Sequence, residues 1–363
     1  MDNNTDMHDV EYGIFLEYRL SAVVILSIIS ILGTVGNIHV LAVYRRIRRS
    51  KLRQFILVLA CNDLIGSCVA TPLNIFDLRY VMTMKWDVYC KFTRLITYHT
   101  TMASGLLLAV VAYERYRRVC DPFGAQMTFR QMKIGCISTI LTAFVLALPT
   151  VYFYGSVPTD IKERPDLNNV YHGKMCGPHE THQTVPYFSC LLFIGTVVLI
   201  AEVFFYTSII ISIIRWKRYK KYLLSRNDEN KCPDERSALL DMENSRKYLR
   251  YQNPKLTGTA GDGEAERKKE MDKMDTAARL SLMFMLNVIF SYVGYIPIIV
   301  FSIIQAADPH AFLSVLSVVE SSIAMLNRLY FLNNIVNPTM YGLMDKQFRS
   351  TCKIMYIDCL AWI

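Results

Sequence analysis

Nothing in the 363-residue sequence looks like machinery for covalent chemistry. No metal-ligand cluster, nucleophile motif or phosphate-cradling loop stands out, and isolated histidines such as His39 and His99 pack or cap more often than they catalyse. An enzyme is therefore not expected, and no cofactor beyond an ion considered below. No internal repeat is apparent, which argues against a transporter built from inverted repeats with broken helices at matching places. A secretory leader is not expected either. The first residues are acidic, and the first long apolar run lacks a short hydrophobic core followed by a small-residue cleavage site, so that run itself would direct the chain to the membrane.

What is abundant is apolar surface. Apolar residues make up 52% of the chain and the mean hydropathy is +0.23, too high for an ordinary soluble protein of mixed composition. They gather in seven runs, Leu20–Tyr44, Phe55–Phe76, Leu95–Ala112, Ile134–Tyr154, Val185–Ile214, Leu280–Ile304 and Phe312–Leu343. Each is long enough to cross a hydrocarbon layer about 30 Å thick. Lipid cannot satisfy backbone polar groups, so these runs should be helices that turn their polar residues toward a shared interior. The expected class is an all-α membrane protein, a bundle of seven transmembrane helices.

The net charge of +9 does not indicate nucleic acid, because the basic residues lie in alternate connections. They cluster at Arg45, Arg46, Arg48, Arg49, Lys51 and Arg53, at Arg115, Arg117, Arg118, Arg130 and Lys133, at Arg215, Lys217, Arg218, Lys220 and Lys221, and at Lys346, Arg349 and Lys353. The positive-inside rule makes these sides cytoplasmic. Asp2, Asp6, Asp9, Glu11 and Glu17 place the N-terminus outside, and an odd number of spans puts the C-terminus inside. Residues 1–19 are then an extracellular tail, residues 20–343 the membrane domain, and residues 344–363 a short amphipathic eighth helix with the cytoplasmic tail. Within the domain, residues 215–275 are charged, rich in Pro and Gly and without apolar periodicity, so they should be largely disordered apart from helical extensions at each end.

Ten cysteines are present, but only Cys90 and Cys176 lie in clearly extracellular segments, so they form the expected disulfide. Asn3-Asn4-Thr5 is a glycosylation sequon on the outer tail.

Short signatures then appear in the right spans and in order. Gly36-Asn37 lies in the first, Leu59-Ala60-Cys61-Asn62-Asp63 in the second, Glu114-Arg115-Tyr116 at the end of the third, and Asn337-Pro338-Thr339-Met340-Tyr341 at the end of the seventh, followed by Phe348. With these motifs the chain resembles the rhodopsin-like (class A) G-protein-coupled receptors along all seven spans. The resemblance implies a plasma-membrane receptor that binds an extracellular ligand and activates a heterotrimeric G protein, with arrestin as a further partner.

Thr97, Thr101 and Ser104 are spaced to form one polar stripe on the third helix, and Asn333 and Asn337 lie one turn apart on the seventh. The resemblance groups Asp63, Ser104, Asn333 and Asn337 as positions that bind sodium in many members; a water-filled polar network is the alternative. It also implies that Arg115 pairs with Glu114 at rest and is released to meet the G protein, with Tyr206 and Tyr341 closing on the space left as the sixth helix swings about Pro297. Arg115 lies eighteen residues below Thr97, ~27 Å along one helix, so a single element reaches both membrane faces.

Departures from the family pattern are informative. Tyr295 stands where Trp is usual two residues before Pro297, Val198 replaces the proline of the fifth helix, and the fourth lacks its Trp. Tyr295 is either an aromatic toggle or a core tyrosine with a satisfied hydroxyl. Thr97 stands at the place of the amine-binding Asp and Phe331 at that of the retinal-binding Lys, which excludes a monoamine receptor and a working opsin. The remaining pocket would include Thr97, Tyr98, Thr101, Tyr295, Asn327 and Phe331 beneath a long polar outer loop, an arrangement resembling peptide receptors. Glu202 and Arg328 are charges within spans that either bind ligand or join a polar relay, or else each find a partner or a nearby interface. Cys352 sits where palmitoylation would fit, or is an ordinary reduced thiol. A transporter or channel, and a receptor-like protein without G-protein coupling, are the rival readings.

Overall fold

The computed structural model describes residues 3–80, 83–121, 124–162, 170–179, 184–227, 262–307, 326 and 328–360. Among them, six helices are long and apolar enough to cross a membrane, at His8–Arg46, Lys51–Arg79, Asp87–Cys120, Phe129–Phe153, Thr184–Arg218 and Asp275–Pro297. Of the seventh expected span, residues 312–325 and 327 lie outside the described residues. Its inner part is a 3-10 turn at Leu329–Leu332 running into the helix Asn333–Met344. The amphipathic helix Lys346–Leu360 follows.

The helices outrun the apolar runs because polar residues cap and extend them. Ser50 starts the second span by accepting from Arg53 N at 3.1 Å. Thr128 and Gln131 start the fourth through reciprocal hydrogen bonds of 3.2 and 2.8 Å, a capping box. The fourth span breaks near Pro149, leaving the single turn Thr150–Phe153. In the second, a wider π-type turn at Gly66–Ala70 precedes Pro72, whose missing N–H removes one hydrogen bond of the regular ladder.

Two segments flank the bundle. Residues 1–19, expected as an outer tail, begin with the helix Asn3–Ile14, which continues through a wide turn at Phe15–Arg19 into Leu20–Arg46. Glu11 holds it down by accepting from Thr83 N and Oγ1 at 3.2 and 3.0 Å, and the Arg79 guanidinium lies over the rings of Tyr12 and Phe15. The outer loop after the fourth span is an antiparallel hairpin of Tyr154–Lys162 and Val170–Pro178. At the third inner loop, helix runs to Asn227 and resumes at Asp262, so the expected helical extensions are present. Residues 228–261 lie outside the described ones.

The outward faces carry Ile28, Ile31, Val35, Ile137, Leu141, Phe193, Val197 and Ile200, all exposed. In water this would be a large apolar patch; facing lipid it is the expected surface. Inside, one apolar cluster surrounds Tyr44, Leu108, Phe284 and Tyr341 in the inner half, and another surrounds Tyr98, Ala147, Phe188 and Ile299 in the outer half. Glycine permits the closest helix approaches. A Cβ on Gly36 would stand 3.0 Å from Pro338, and one on Gly294 would stand 2.6 Å from the Tyr330 backbone.

Candidate functional site

The seam of polar residues runs through the middle of the bundle. Asp63, fully buried on the second span, accepts from Asn337 Nδ2 at 2.5 Å and from Ser104 Oγ at 3.3 Å. Asn333 Nδ2 donates to Ser104 Oγ at 2.7 Å, and its Oδ1 accepts from Ser291 Oγ at 2.7 Å. All four grouped residues therefore converge, linking the second, third, sixth and seventh spans. Asn37 joins the first span by donating to the Gly33 and Asn334 carbonyls, each at 2.9 Å.

The donor set decides what ion could fit. Asp63 supplies one carboxylate, Ser104 a hydroxyl and the asparagines neutral amide oxygens, and Asn337 Oδ1 is buried with no hydrogen-bond partner among the described residues. A single anionic ligand among neutral oxygens suits a monovalent cation, whereas divalent sites collect more carboxylates.

At the inner end, Arg115 pairs with Glu114 at 2.6 Å, both nearly fully buried, and Glu114 also holds Arg118 at 2.7 Å. Arg115 is 1% exposed, which rules out a mere interfacial anchor reaching for headgroups. Tyr206 and Tyr341 belong to the same inner core, their hydroxyls without hydrogen-bond partners among the described residues. Tyr116 instead packs on the Phe204 and Phe205 rings, away from this latch. Pro338 lies against Gly36, fixing the seventh span to the first.

The expected ligand-pocket residues divide between a cavity and the packed interior. A cavity of about 70 Å³ is lined by Thr101, Gly105, Tyr292, Tyr295, Phe331 and Asn333, among others. Thr97 is not on it. Its hydroxyl accepts from Asn74 Nδ2 at 2.9 Å, turned toward the second span. Tyr98 is not on it either; its hydroxyl meets that of Tyr154 at 3.1 Å and its ring lies beside Phe188. Residues at shared helical spacing point in related directions, but the rotation of the helix against its neighbours decides which direction meets the cavity. Asn327 lies outside the described residues.

The expected disulfide Cys90–Cys176 is present and ties the hairpin to the third span. One turn below Cys90, Arg94 pairs with Asp77 at 2.6 Å, and Arg328 approaches the same Asp77 oxygen at 3.4 Å. Arg328 thus has the partner expected of it. Asp77 and Arg94 escaped sequence reasoning because the apolar runs end at Phe76 and start again at Leu95; their position one residue outside those runs was the available signal. Also missed was Asp345, which accepts from Tyr44 OH at 2.6 Å and caps the last helix through Gln347 N and Phe348 N. Glu202 is buried beside Tyr292. Cys352 is half-buried, its thiol 3.4 Å from His39 Nε2. Asn3 opens the first helix, its side chain outside those described.

A bundle of membrane helices with a buried acidic seam, an arginine latch and a disulfide-tied outer hairpin defines a heptahelical receptor. The family pattern of the 7 transmembrane receptor (rhodopsin family) matches residues 36–341, and the chain belongs to that family. It is 23% identical to G-protein coupled receptor 39 of Bos taurus over 94% of this chain and 74% of that one. With the cholecystokinin receptor type A of Cavia porcellus it shares 23% identity over 90% of this chain and 78% of the other. A probable G-protein coupled receptor of Caenorhabditis elegans is 27% identical over a shorter stretch, 34% of this chain and 30% of that protein. The structure of squid rhodopsin superposes with a TM-score of 0.67 at 16% identity, covering 94% of this chain and 85% of that one. The protein is accordingly a multi-pass membrane receptor of the G-protein-coupled kind, not an enzyme.

Proposed function

We propose that the chain binds an extracellular peptide at its outer half and activates a heterotrimeric G protein by outward movement of the inner end of the sixth helix. One observation carries the reading: Ser291 and Asn333 line the cavity and also belong to the hydrogen-bonded path to Ser104, Asp63 and Asn337. A ligand group that disturbs either residue changes the seam, and the seventh helix then carries the change to Tyr341. The inner half holds the other part of the switch, Arg115 on Glu114. To move the receptor from 1:99 to 99:1 in favour of the open form, the ligand must prefer that form by about 5.5 kcal/mol.

A peptide is favoured because one relative is a receptor for cholecystokinin, a peptide, and because the polar hairpin beside the outer half offers backbone and side-chain hydrogen bonds that a peptide can use. On this reading the N-terminus is extracellular, arrestin competes for the inner face, and a sodium ion at Asp63 holds the resting arrangement.

The test is a peptide library applied to cells expressing the chain, read as guanine-nucleotide exchange, with Arg115→Ala as control. At least one peptide should raise exchange, and Arg115→Ala should abolish the response while surface expression stays near the parent level. Normal signalling by Arg115→Ala would refute the latch. Ion flux in liposomes without any G protein would support a channel instead.

A further inference from the structure

Charge is unevenly shared in the inner half of the bundle. Two guanidiniums rest on the one Glu114 carboxylate, Arg115 at 2.6 Å on one oxygen and Arg118 at 2.7 Å on the other. Glu202, on the fifth span, is 1% exposed, and both its oxygens are buried without a hydrogen-bond partner among the described residues. No cation among those residues pairs with it. An acid so placed is costly, because a buried carboxylate needs a cation or a set of donors. The switch proposed above uses Glu114, Arg115 and Tyr206 and gives Glu202 no part.

Tyr206 stands between the two charges. It lies one helical turn inward of Glu202, and residues four apart share a helix face, the longer side chain leaning back over the preceding turn. The charges of both Glu202 and Arg115 act on it. Its hydroxyl and Arg115 Nε are buried and make no hydrogen bond among the described residues. The three groups are complementary in kind: a guanidinium that donates, a hydroxyl that accepts and donates at once, and a carboxylate that accepts. Tyr292 of the sixth span lies beside the Glu202 carboxyl, its own hydroxyl given to the Gly195 carbonyl at 3.2 Å. Movement of the sixth helix therefore changes the surroundings of this acid.

We propose that Glu202 is the second counter-ion of Arg115, taking it over from Glu114 when the inner end of the sixth helix moves outward. Arg115 donates to the Tyr206 oxygen, and the Tyr206 hydroxyl donates to Glu202. Glu114 is not stranded by the transfer, because Arg118 stays on it. Each carboxylate then has one guanidinium, where Glu114 had two and Glu202 none. Glu202 acts through Tyr206, as a positioning residue. The inference rests on the opening proposed above and adds the group that holds the open form.

The experiment uses the full-length chain in lipid nanodiscs, without ligand or G protein. Spin-labelled amino acids at Arg130 and Thr276, both exposed at the inner ends of the fourth and sixth spans, report the separation of those ends by double electron–electron resonance. Glu114→Gln should gain a longer component at about ten times its share in the parent. Adding Glu202→Gln should return that component to near the parent share, and adding Tyr206→Phe, which removes the connecting hydroxyl, should do the same. Glu202→Gln alone should unfold at no lower temperature than the parent, since its carboxyl has no partner to lose. A longer component that survives either added change overturns the inference and leaves the opening intact. Absence of the component in Glu114→Gln refutes the opening itself, and the second counter-ion with it. A Glu202→Gln chain that unfolds at a lower temperature, or fails to fold, would show the carboxyl already engaged in the closed form and overturns the inference as well.

Discussion

The outer and inner halves of the bundle are held together in different ways. Outside, the ties are covalent or ionic: the Cys90–Cys176 bridge, Asp77 between two guanidiniums, Asp87 on Lys91 at 2.6 Å, and Asp87 accepting from Ser156 N at 3.1 Å. Inside, around the sixth helix, buried polar groups stand without hydrogen-bond partners among the described residues: Arg115 Nε, Tyr206 OH, Ser281 Oγ, the Asn287 amide and Tyr341 OH. Each such group costs about 1–3 kcal/mol. Atoms without hydrogen-bond partners among the described residues occur in the outer half too, at Arg79 Nη1 and Thr93 Oγ1, but there the ties above hold the shape. On the proposed activation the inner half is the part that is left, because an arrangement that admits water or lets these groups meet one another regains what this one gives up.

Breaking the outer ties should have the largest effects. Cys90→Ser releases a crosslink spanning 86 residues, worth about 4–5 kcal/mol by loop-closure entropy. It should lower the thermal unfolding temperature strongly and reduce surface expression. An unchanged unfolding temperature would mean that the hairpin is held by other contacts. Asp77→Asn leaves Arg94 and Arg328 without their shared anion and should cost about 3 kcal/mol, since removing one partner strands buried charge. The corresponding Arg94→Met should cost less, and a reversed order would show that Asp77 is not the hub of the cluster.

On the inner side the signs invert. Asn287→Leu replaces a buried, unpartnered amide with an apolar group of similar shape and should stabilise the resting receptor by about 2 kcal/mol. Heat stability would rise and ligand-free nucleotide exchange would fall; a destabilised variant would show that the amide is satisfied at rest. Glu114→Gln weakens the hold on Arg115 and should raise ligand-free exchange about tenfold, the equivalent of ~1.4 kcal/mol. If exchange instead fell, Glu114 would be needed by the active form and not by the resting one.

Much of this was readable before any coordinates. Hydropathy located the described spans to within a few helical turns, and the short motifs brought Asp63, Ser104, Asn333 and Asn337 to one place, because in lipid costly polar groups have few alternatives to each other. Glu114–Arg115 was adjacent in sequence and needed no tertiary knowledge. Other features depend on how helices rotate and where polar ends begin. Thr97 and Thr101 sit one turn apart, yet one faces Asn74 and the other the cavity. Arg328 and Asp77 are separated by 251 residues, and nothing local to either announces the other. The tail helix Asn3–Ile14 is polar and would not be stable alone; it is held by Glu11 on Thr83 and by Arg79 over its aromatic rings, contacts that exist only once the bundle has formed.

On the proposed movement of the sixth helix, the close approach of Gly294 to the Tyr330 backbone would be the fulcrum. From there to Asp275 the sixth helix extends nineteen residues, a rigid arm of about 28 Å at 1.5 Å per residue. A tilt of about 10° at the pivot carries the far end through about 5 Å, enough to open a gap one helix-turn wide. A larger side chain at 294 would push the two arms apart at the hinge itself and spoil the leverage; under the proposed activation, a displacement too small to notice beside the ligand would become a doorway at the opposite face of the membrane.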